Sequence, residues 1–238
     1  METVCASDVI LLAHHPELSA RPEPKLGAID VENRRAALTW NVFRTLELLP
    51  PAFWLRRFRA RLGALMSLDP PGPSLSIRLW TALRPPAWRG RQEPVIIDAL
   101  IDTDDAVYGV MTCAGSDIEL GDSTVARPDA VLRAIDAVSW YAGTRACHIV
   151  LITSDWADTP MGTALIDRYR SSRDVLLRRL PHRRDGLVNV RDIARMTWRD
   201  VAGIMRDCAD STSLTIFERC AARQAVQWLD SLGIHPTD

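Results

Sequence analysis

Apolar and polar residues alternate along the middle of the chain in the pattern of short β-strands. Residues Leu75 to Leu83 alternate apolar and polar side chains, with the period of two that is typical of a strand. Two apolar runs follow, Val95 to Ile101 and Val107 to Cys113, and they flank a short turn that contains three aspartates. Apolar runs around a charged turn are typical of a β-hairpin. The pattern therefore predicts a sheet whose first strand precedes a hairpin.

Elsewhere, apolar residues recur at steps of three and four, the spacing of amphipathic helices. Asp30 is a candidate N-cap, and the Pro50-Pro51 pair ends the first helix and opens the second. His148 to Ile152 is a predicted strand, and Val190 to Ala194 is a short strand or turn. The predicted helices are Val31 to about Leu49, Pro51 to about Met66, Val131 to Gly143, Met161 to about Leu180, one from the candidate N-cap Thr197 through Cys208, and Leu214 to Leu232.

One carboxylate lies within the apolar hairpin. Because residues two apart on a strand share a face, we expect Asp98 to lie beside Ile96 and Leu100, and Met111 beside Cys113 on the neighbouring strand. An ionised carboxylate in apolar surroundings costs several kcal/mol unless it is paired, solvated or protonated. Asp98 is therefore a candidate functional residue that needs a partner.

The hairpin resembles the central strands of the PD-(D/E)xK, or restriction-endonuclease-like, nuclease superfamily. In that superfamily an Asp on one strand and a Glu-x-Lys on the next act together with Mg²⁺. Asp98 matches the Asp, whereas Met111 and Cys113 stand at the positions of the Glu and the Lys. Glu32 opens a stretch that resembles the superfamily's first helix, where a Glu completes the metal site. The resemblance covers roughly residues 30–198.

This resemblance implies an α/β fold with a central mixed β-sheet flanked by helices and a helical C-terminal extension. The expected organisation is an N-terminal arm (residues 1–28), a nuclease-like domain (29–198) and the C-terminal helical extension (199–238). The middle span has an ordinary size for one domain.

The resemblance also implies that the catalytic site is degenerate. Met and Cys are soft ligands that do not replace the oxygens around Mg²⁺. Lys25 is the only lysine of the chain, so no other lysine can replace the one missing at Cys113. If a metal binds at all, Glu32 and Asp98 are its candidate ligands. The candidates for a relocated carboxylate, in a chain that remains active with Mg²⁺, are Asp117 and Glu119.

Overall charge predicts no general attraction to nucleic acid, since 29 basic residues face 30 acidic ones. The arginines are nevertheless concentrated in two stretches, residues 56–91 and 168–184. Clustered arginines suit a phosphate backbone, although a charge run is more often a solvated face. The candidate nucleic-acid-binding residues are Arg56, Arg57, Arg59, Arg61, Arg78, Arg178, Arg179, Arg183 and Arg184.

Cysteine usage and hydropathy indicate the compartment. Five cysteines without a CxxC pair argue against a disulfide framework and against a zinc site. The sequence has no signal-peptide pattern and no apolar stretch near about 20 residues. We therefore expect a cytoplasmic protein that does not associate with a membrane.

Three functions remain open. The first is a pseudonuclease that needs no cofactor and binds nucleic acid, DNA or RNA, a protein partner or a second copy of itself. The resemblance alone implies a place for it in a bacterial antiviral defence or mobile-element complex. The second is an active Mg²⁺-dependent DNA endonuclease with a relocated carboxylate. The third is a purely structural subunit.

Overall fold

The computed structural model describes residues 31–62, 74–85, 94–115, 117–118 and 128–235, with side chains from residue 34 onward. The predicted α/β class is confirmed, since five strands and seven helices lie in this part of the chain. The elements are α1 (Val31–Glu47), α2 (Pro51–Arg61), β1 (Leu75–Leu83), β2 (Val95–Thr103), β3 (Ala106–Thr112), α3 (Ala130–Ala142), β4 (Ala146–Thr153), α4 (Pro160–Ser171), α5 (Arg173–Arg179), β5 (Val190–Thr197), α6 (Trp198–Asp210) and α7 (Ile216–Ser231).

The five strands form one mixed sheet in the order β1-β2-β3-β4-β5. Strand β2 is antiparallel to both β1 and β3, which confirms the predicted hairpin. Strands β3, β4 and β5 are parallel to one another. Helices connect these parallel strands, because a parallel pair needs a long crossover connection.

Helices cover both faces of the sheet and create two apolar cores. Helices α1, α2, α6 and α7 bury residues such as Leu38, Trp54 and Trp198 in one cluster, which we call the α1 face. Helices α3, α4 and α5 bury residues such as Ile135 and Leu165 in the other, the α3 face. Burial of each such side chain contributes about 1.5–3 kcal/mol relative to exposure. The predicted C-terminal extension therefore shares its core with the helices that precede it.

Helix α3 begins and ends with defined capping contacts and packs tightly on the sheet. The Asp129 carboxylate accepts a 2.9 Å hydrogen bond from the N–H of Leu132, and Gly143 ends the helix with φ 63, which favours glycine. At Gly109 of β3, a Cβ atom would lie 2.5 Å from Cγ2 of Val138. Glycine therefore lets α3 approach the middle of the sheet.

Two predicted elements have different bounds from those expected. The helix predicted from Met161 to Leu180 is two helices, because Ser172 is extended (φ −143, ψ 101) and separates α4 from α5. The apolar spacing continues across this break, since both helices bury residues on the α3 face. The short strand or turn predicted at Val190 extends to Thr197, whose side chain forms a capping box with Asp200 at the start of α6.

Some expectations concern the ends of the chain and its environment. The predicted arm at residues 1–28 and the end of the second predicted helix, residues 63–66, lie outside the described residues. No helix in the described part is both long and apolar enough to cross a lipid bilayer.

Candidate functional site

Asp98 lies where the pairing of β1 with β2 is interrupted. The register pairs Leu79 with Ala99 and Thr81 with Ile97, and the ladder skips the positions of Trp80 and Asp98 between them. Trp80 has φ 48, a conformation that costs a bulky residue about 1–3 kcal/mol. The backbone is therefore irregular at the position that carries the candidate carboxylate.

This irregularity changes which residues share a face with Asp98. Ile97 and Leu100 both pack on the α3 face, although residues three apart on a regular strand point to opposite sides. Asp98 instead contacts Thr112, which is bonded to helix α1, and Ile96 is exposed. The expectation that Asp98 lies beside Ile96 and Leu100 is therefore wrong, because the strand loses its regular alternation at this point.

The carboxylate of Asp98 is bound by Thr112 on the neighbouring strand. The N–H of Thr112 donates to Oδ2 of Asp98 at 2.7 Å, and its hydroxyl donates to the same oxygen at 3.1 Å. Oγ1 of Thr112 lies 3.0 Å from Oγ1 of Thr39 on α1, and the one proton of the Thr39 hydroxyl is donated either to Thr112 or to the carbonyl of Arg35, which lies 2.9 Å away. A hydrogen-bonded chain thus joins β2, β3 and α1.

Burial makes Asp98 hold its proton more tightly than a free aspartate does. Burial raises the pKa of Asp98 above its ordinary value, and the positive charge of Arg35 and the hydrogen bonds from Thr112 only partly oppose this. Burial also raises the pKa of Cys113 to about 12, with a further contribution from the charge of Asp98. The Cys113 thiol is therefore protonated at neutral pH and is a poor nucleophile or metal ligand.

Met111 and Cys113 lie on the α3 face, whereas the Thr112 hydroxyl and Ala114 lie on the α1 face with Asp98. The expected juxtaposition of Asp98 with Met111 and Cys113 is therefore not observed. On the face of Asp98, the last residue of β3 and the second residue after it are Thr112 and Ala114, which carry a hydroxyl and a methyl group and neither a carboxylate nor an ammonium.

The other acidic candidates do not converge on Asp98 in the described residues. Glu32 lies in the first turn of α1, and its side chain is outside the described part. Asp117 accepts hydrogen bonds from the N–H groups of Met161 (2.7 Å) and Gly162 (2.9 Å), and so caps α4. The helix dipole stabilises a negative charge at this end of a helix. Glu119 lies outside the described residues.

The described residues around Asp98 do not fit a magnesium ion. Mg²⁺ needs several oxygen ligands in a regular arrangement, but Oδ2 of Asp98 faces two proton donors of Thr112. Nowhere in the described part of the chain do three His, Cys, Asp or Glu side chains form a group that could hold a metal ion.

Most of the predicted arginines on α2 and β1 bind other parts of the protein. Arg59 is buried, and its Nε donates to Oη of Tyr108 at 2.6 Å. The prediction that Arg59 binds nucleic acid is therefore wrong, because its side chain is internal to the fold. Arg56, by contrast, is exposed. The ion pairs of the remaining three are Arg57 with Asp207 (2.9 Å), Arg61 with Asp200 (3.4 Å) and Arg78 with Asp102 (3.1 Å).

The second predicted cluster is also partly internal. Arg183 is buried and donates to Asp136 at 3.0 Å and to Ser139 at 2.7 Å. The prediction that it binds nucleic acid is therefore also wrong. Arg179 lies 3.7 Å from the buried carboxylate of Asp129. The remaining two, which are exposed and have no ion-pair partner among the described residues, are Arg178 and Arg184.

The arginines of α2 lie on the opposite side of the sheet from those of α4 and α5, whereas Arg78 on β1 contacts Tyr141 of α3 on the α3 face. Helix α2 packs on the α1 face, whereas α4 and α5 pack on the α3 face. The arginines of α2 and those of α4 and α5 therefore do not line one common groove.

Sequence reasoning missed a polar row across three parallel strands. The strand register aligns Tyr108, His148 and Asp192 on β3, β4 and β5. Nδ1 of His148 lies 2.8 Å from Oδ2 of Asp192, and its ring stacks on Tyr108 with centroids 4.6 Å apart. The three residues are about 40 positions apart in sequence, and only the strand register brings them together.

Comparisons with models of known protein families, with curated proteins and with solved structures found no match. No family is therefore assigned to the chain.

Proposed function

We propose that this chain is a nuclease-like α/β domain without catalytic activity, which binds nucleic acid through the helical layer of the α3 face. The environment of Asp98 carries the first part of the proposal. Its Oδ2 accepts two hydrogen bonds from Thr112, so it serves as an internal acceptor in a position where a nuclease would need a metal ligand.

The order of elements supports the nuclease-like part of the proposal. Helix α1, strands β1 to β3, helix α3 and strand β4 follow one another along the chain in the order that the resemblance requires, with Asp98 on β2. Because one fold can serve many functions, this order supports an ancestry and not an activity.

Exposed arginines support the binding part of the proposal. Arg178 and Arg184 project from the layer of the α3 face, and Arg168 and Arg170 are exposed in the last turn of α4. A guanidinium stays charged at any physiological pH and matches a phosphate with two parallel hydrogen bonds. Arg56 lies on the opposite side of the sheet and is not part of this surface.

The binding part is tested by the salt dependence of affinity for oligonucleotides of mixed sequence. If three arginines neutralise phosphates, affinity should fall about 20- to 40-fold between about 50 and about 200 mM salt. Single-stranded DNA, duplex DNA and RNA of the same length would be compared by fluorescence anisotropy. A response that is flat in salt, or no binding at the lowest salt, would contradict nucleic-acid binding.

A second candidate function, a structural subunit that binds no nucleic acid, is favoured by one observation. Six of the nine predicted arginines have a partner inside the protein. In this case sedimentation should detect a defined homo-oligomer or a complex with a protein partner, while oligonucleotides should not bind.

A further inference from the structure

A small cleft opens between helix α4 and the edge strand β5. Its polar lining comes from Arg170 at the end of α4, Arg173 at the start of α5, and Arg191 and Asp192 on β5, and buried residues such as Leu187 also line it. The cleft lies in the helical layer that also exposes Arg178 and Arg184.

The cleft has an excess of positive charge. Three arginines and one aspartate are among the residues that line it, and their formal charges sum to plus two. Arg170 and Arg191 are exposed and have no acidic partner within the described ranges. The carboxylate of Asp192 is engaged by Nδ1 of His148 at 2.8 Å. A ligand that enters the cleft therefore meets arginines whose charge the protein has not neutralised.

Arg173 is held in place by neutral partners. Its Nε and Nη2 donate to the carbonyl of Gly186 at 3.2 and 2.8 Å, and Nη2 also donates to the carbonyl of Leu187. Gly186 and Leu187 have φ 65 and 53, which turns both carbonyls toward the arginine. Carbonyl groups orient the guanidinium but leave its charge available, so the cation is fixed before a ligand arrives.

The size of the cleft limits the ligand. Its volume is ≈ 110 Å³, well below the roughly 300 Å³ at which pockets for drug-sized molecules begin. A nucleoside does not fit, whereas a single tetrahedral oxyanion does. Arginine is also the side chain best suited to phosphate oxygens.

We infer that the cleft formed by Arg170, Arg173 and Arg191 is a binding site for one phosphate group, supplied by a phosphodiester of a nucleic-acid backbone or by a free phosphate. The nucleic-acid form of this inference rests on the proposed function. The free-phosphate form does not rest on it, so an experiment can distinguish a failure of the site from a failure of the proposed function.

The test compares the full chain with an Arg170→Gln/Arg191→Gln variant. Arg199→Gln/Arg223→Gln is the matched control, because both of these residues are exposed, lie on the other helical layer and remove the same charge. Affinity for a labelled oligonucleotide is measured against salt, and the shift of the unfolding temperature is measured with inorganic phosphate. We expect the cleft variant, but not the control, to bind the oligonucleotide about tenfold more weakly and to lose about two from the salt slope.

The other outcomes decide whether the cleft binds phosphate and whether the chain binds nucleic acid. Equal weakening by both variants would overturn the phosphate site and leave nucleic-acid binding in place. If the native chain binds no oligonucleotide, but phosphate stabilises it and the cleft variant loses that stabilisation, the site holds free phosphate and the proposed function is wrong. If neither probe binds the native chain, both the site and the proposed function are wrong. Circular dichroism of both variants confirms that they fold.

Discussion

The backbone N–H of Thr112 on β3 lies 2.7 Å from Oδ2 of Asp98 on β2 and donates a hydrogen bond to it. Through Thr39, the same threonine connects this carboxylate to helix α1. The candidate catalytic residue is therefore part of the contact between the first helix and the central strands, and its substitution should alter stability.

Replacing Thr112 with Val should lower the free energy of unfolding by about 1–3 kcal/mol, because Asp98 then loses one of its two donors in a partly buried site. Urea unfolding at neutral pH measures the change. Thr112→Ser keeps the hydroxyl and is the control, and it should cost less than half as much. Equal effects of Val and Ser would show that the hydroxyl does not stabilise Asp98.

Asp98 should also make stability depend on pH. Burial raises its pKa above the ordinary value of 3.8, so the folded protein holds this proton more tightly than the unfolded chain does. The stabilisation from this bound proton is complete below pH 3.8, the ordinary pKa of the group. It is lost as the pH rises through the pKa of the folded state. Asp98→Asn removes this dependence.

The stability of the Asp98→Asn variant relative to the native chain should consequently increase as the pH rises above about 4. Urea unfolding at a series of pH values measures the difference in free energy of unfolding. A difference that stays constant, or that changes in the opposite direction, would contradict a raised pKa at Asp98.

Two adjacent arginines should differ sharply in their effect on stability. Arg183→Gln breaks a buried pair with Asp136 and should cost about 3–5 kcal/mol. Arg184→Gln removes an exposed arginine and should change the free energy of unfolding by less than about 0.5 kcal/mol. Thermal and urea unfolding of the two variants test this, and similar losses would mean that the buried pair is not the cause.

The close approach of α3 to β3 predicts a coupled pair of substitutions. In Gly109→Ala the new methyl group lies 2.5 Å from Cγ2 of Val138, and the resulting overpacking should cost about 1–3 kcal/mol. Adding Val138→Ala should recover part of that loss, because it removes the atoms in conflict. If the two losses simply add, the contact does not limit the packing of this helix.

The regular parts of the fold were predictable because their patterns are local. Strand β1 spans Leu75–Leu83 as expected, the hairpin strands overlap the two apolar runs, and α1 (Val31–Glu47) overlaps the first predicted helix. Alternation and helical spacing record these elements directly in the sequence. The break at Ser172 was not predictable, since apolar residues continue at helical spacing on both sides of it.

The arrangement around Asp98 depends on a feature that leaves no sequence pattern. The irregular backbone at Trp80 and Asp98 places Ile97 and Leu100 on one face, and strict alternation predicts the opposite. Likewise, Arg59 and Arg183 are buried beside carboxylates that they meet only in the folded state, Asp105 and Asp136. Which arginine meets which carboxylate depends on how the helices pack on the sheet, and the sequence does not record that.

Cleavage of labelled single-stranded and duplex DNA and RNA with Mg²⁺ or Mn²⁺ tests the absence of catalysis most directly, with Asp98→Ala as the matched control. We expect the native chain and the variant to show the same background rate with either metal, because Oδ2 of Asp98 already accepts two hydrogen bonds from Thr112. Metal-dependent cleavage by the native chain that disappears in the Asp98→Ala variant would contradict the account.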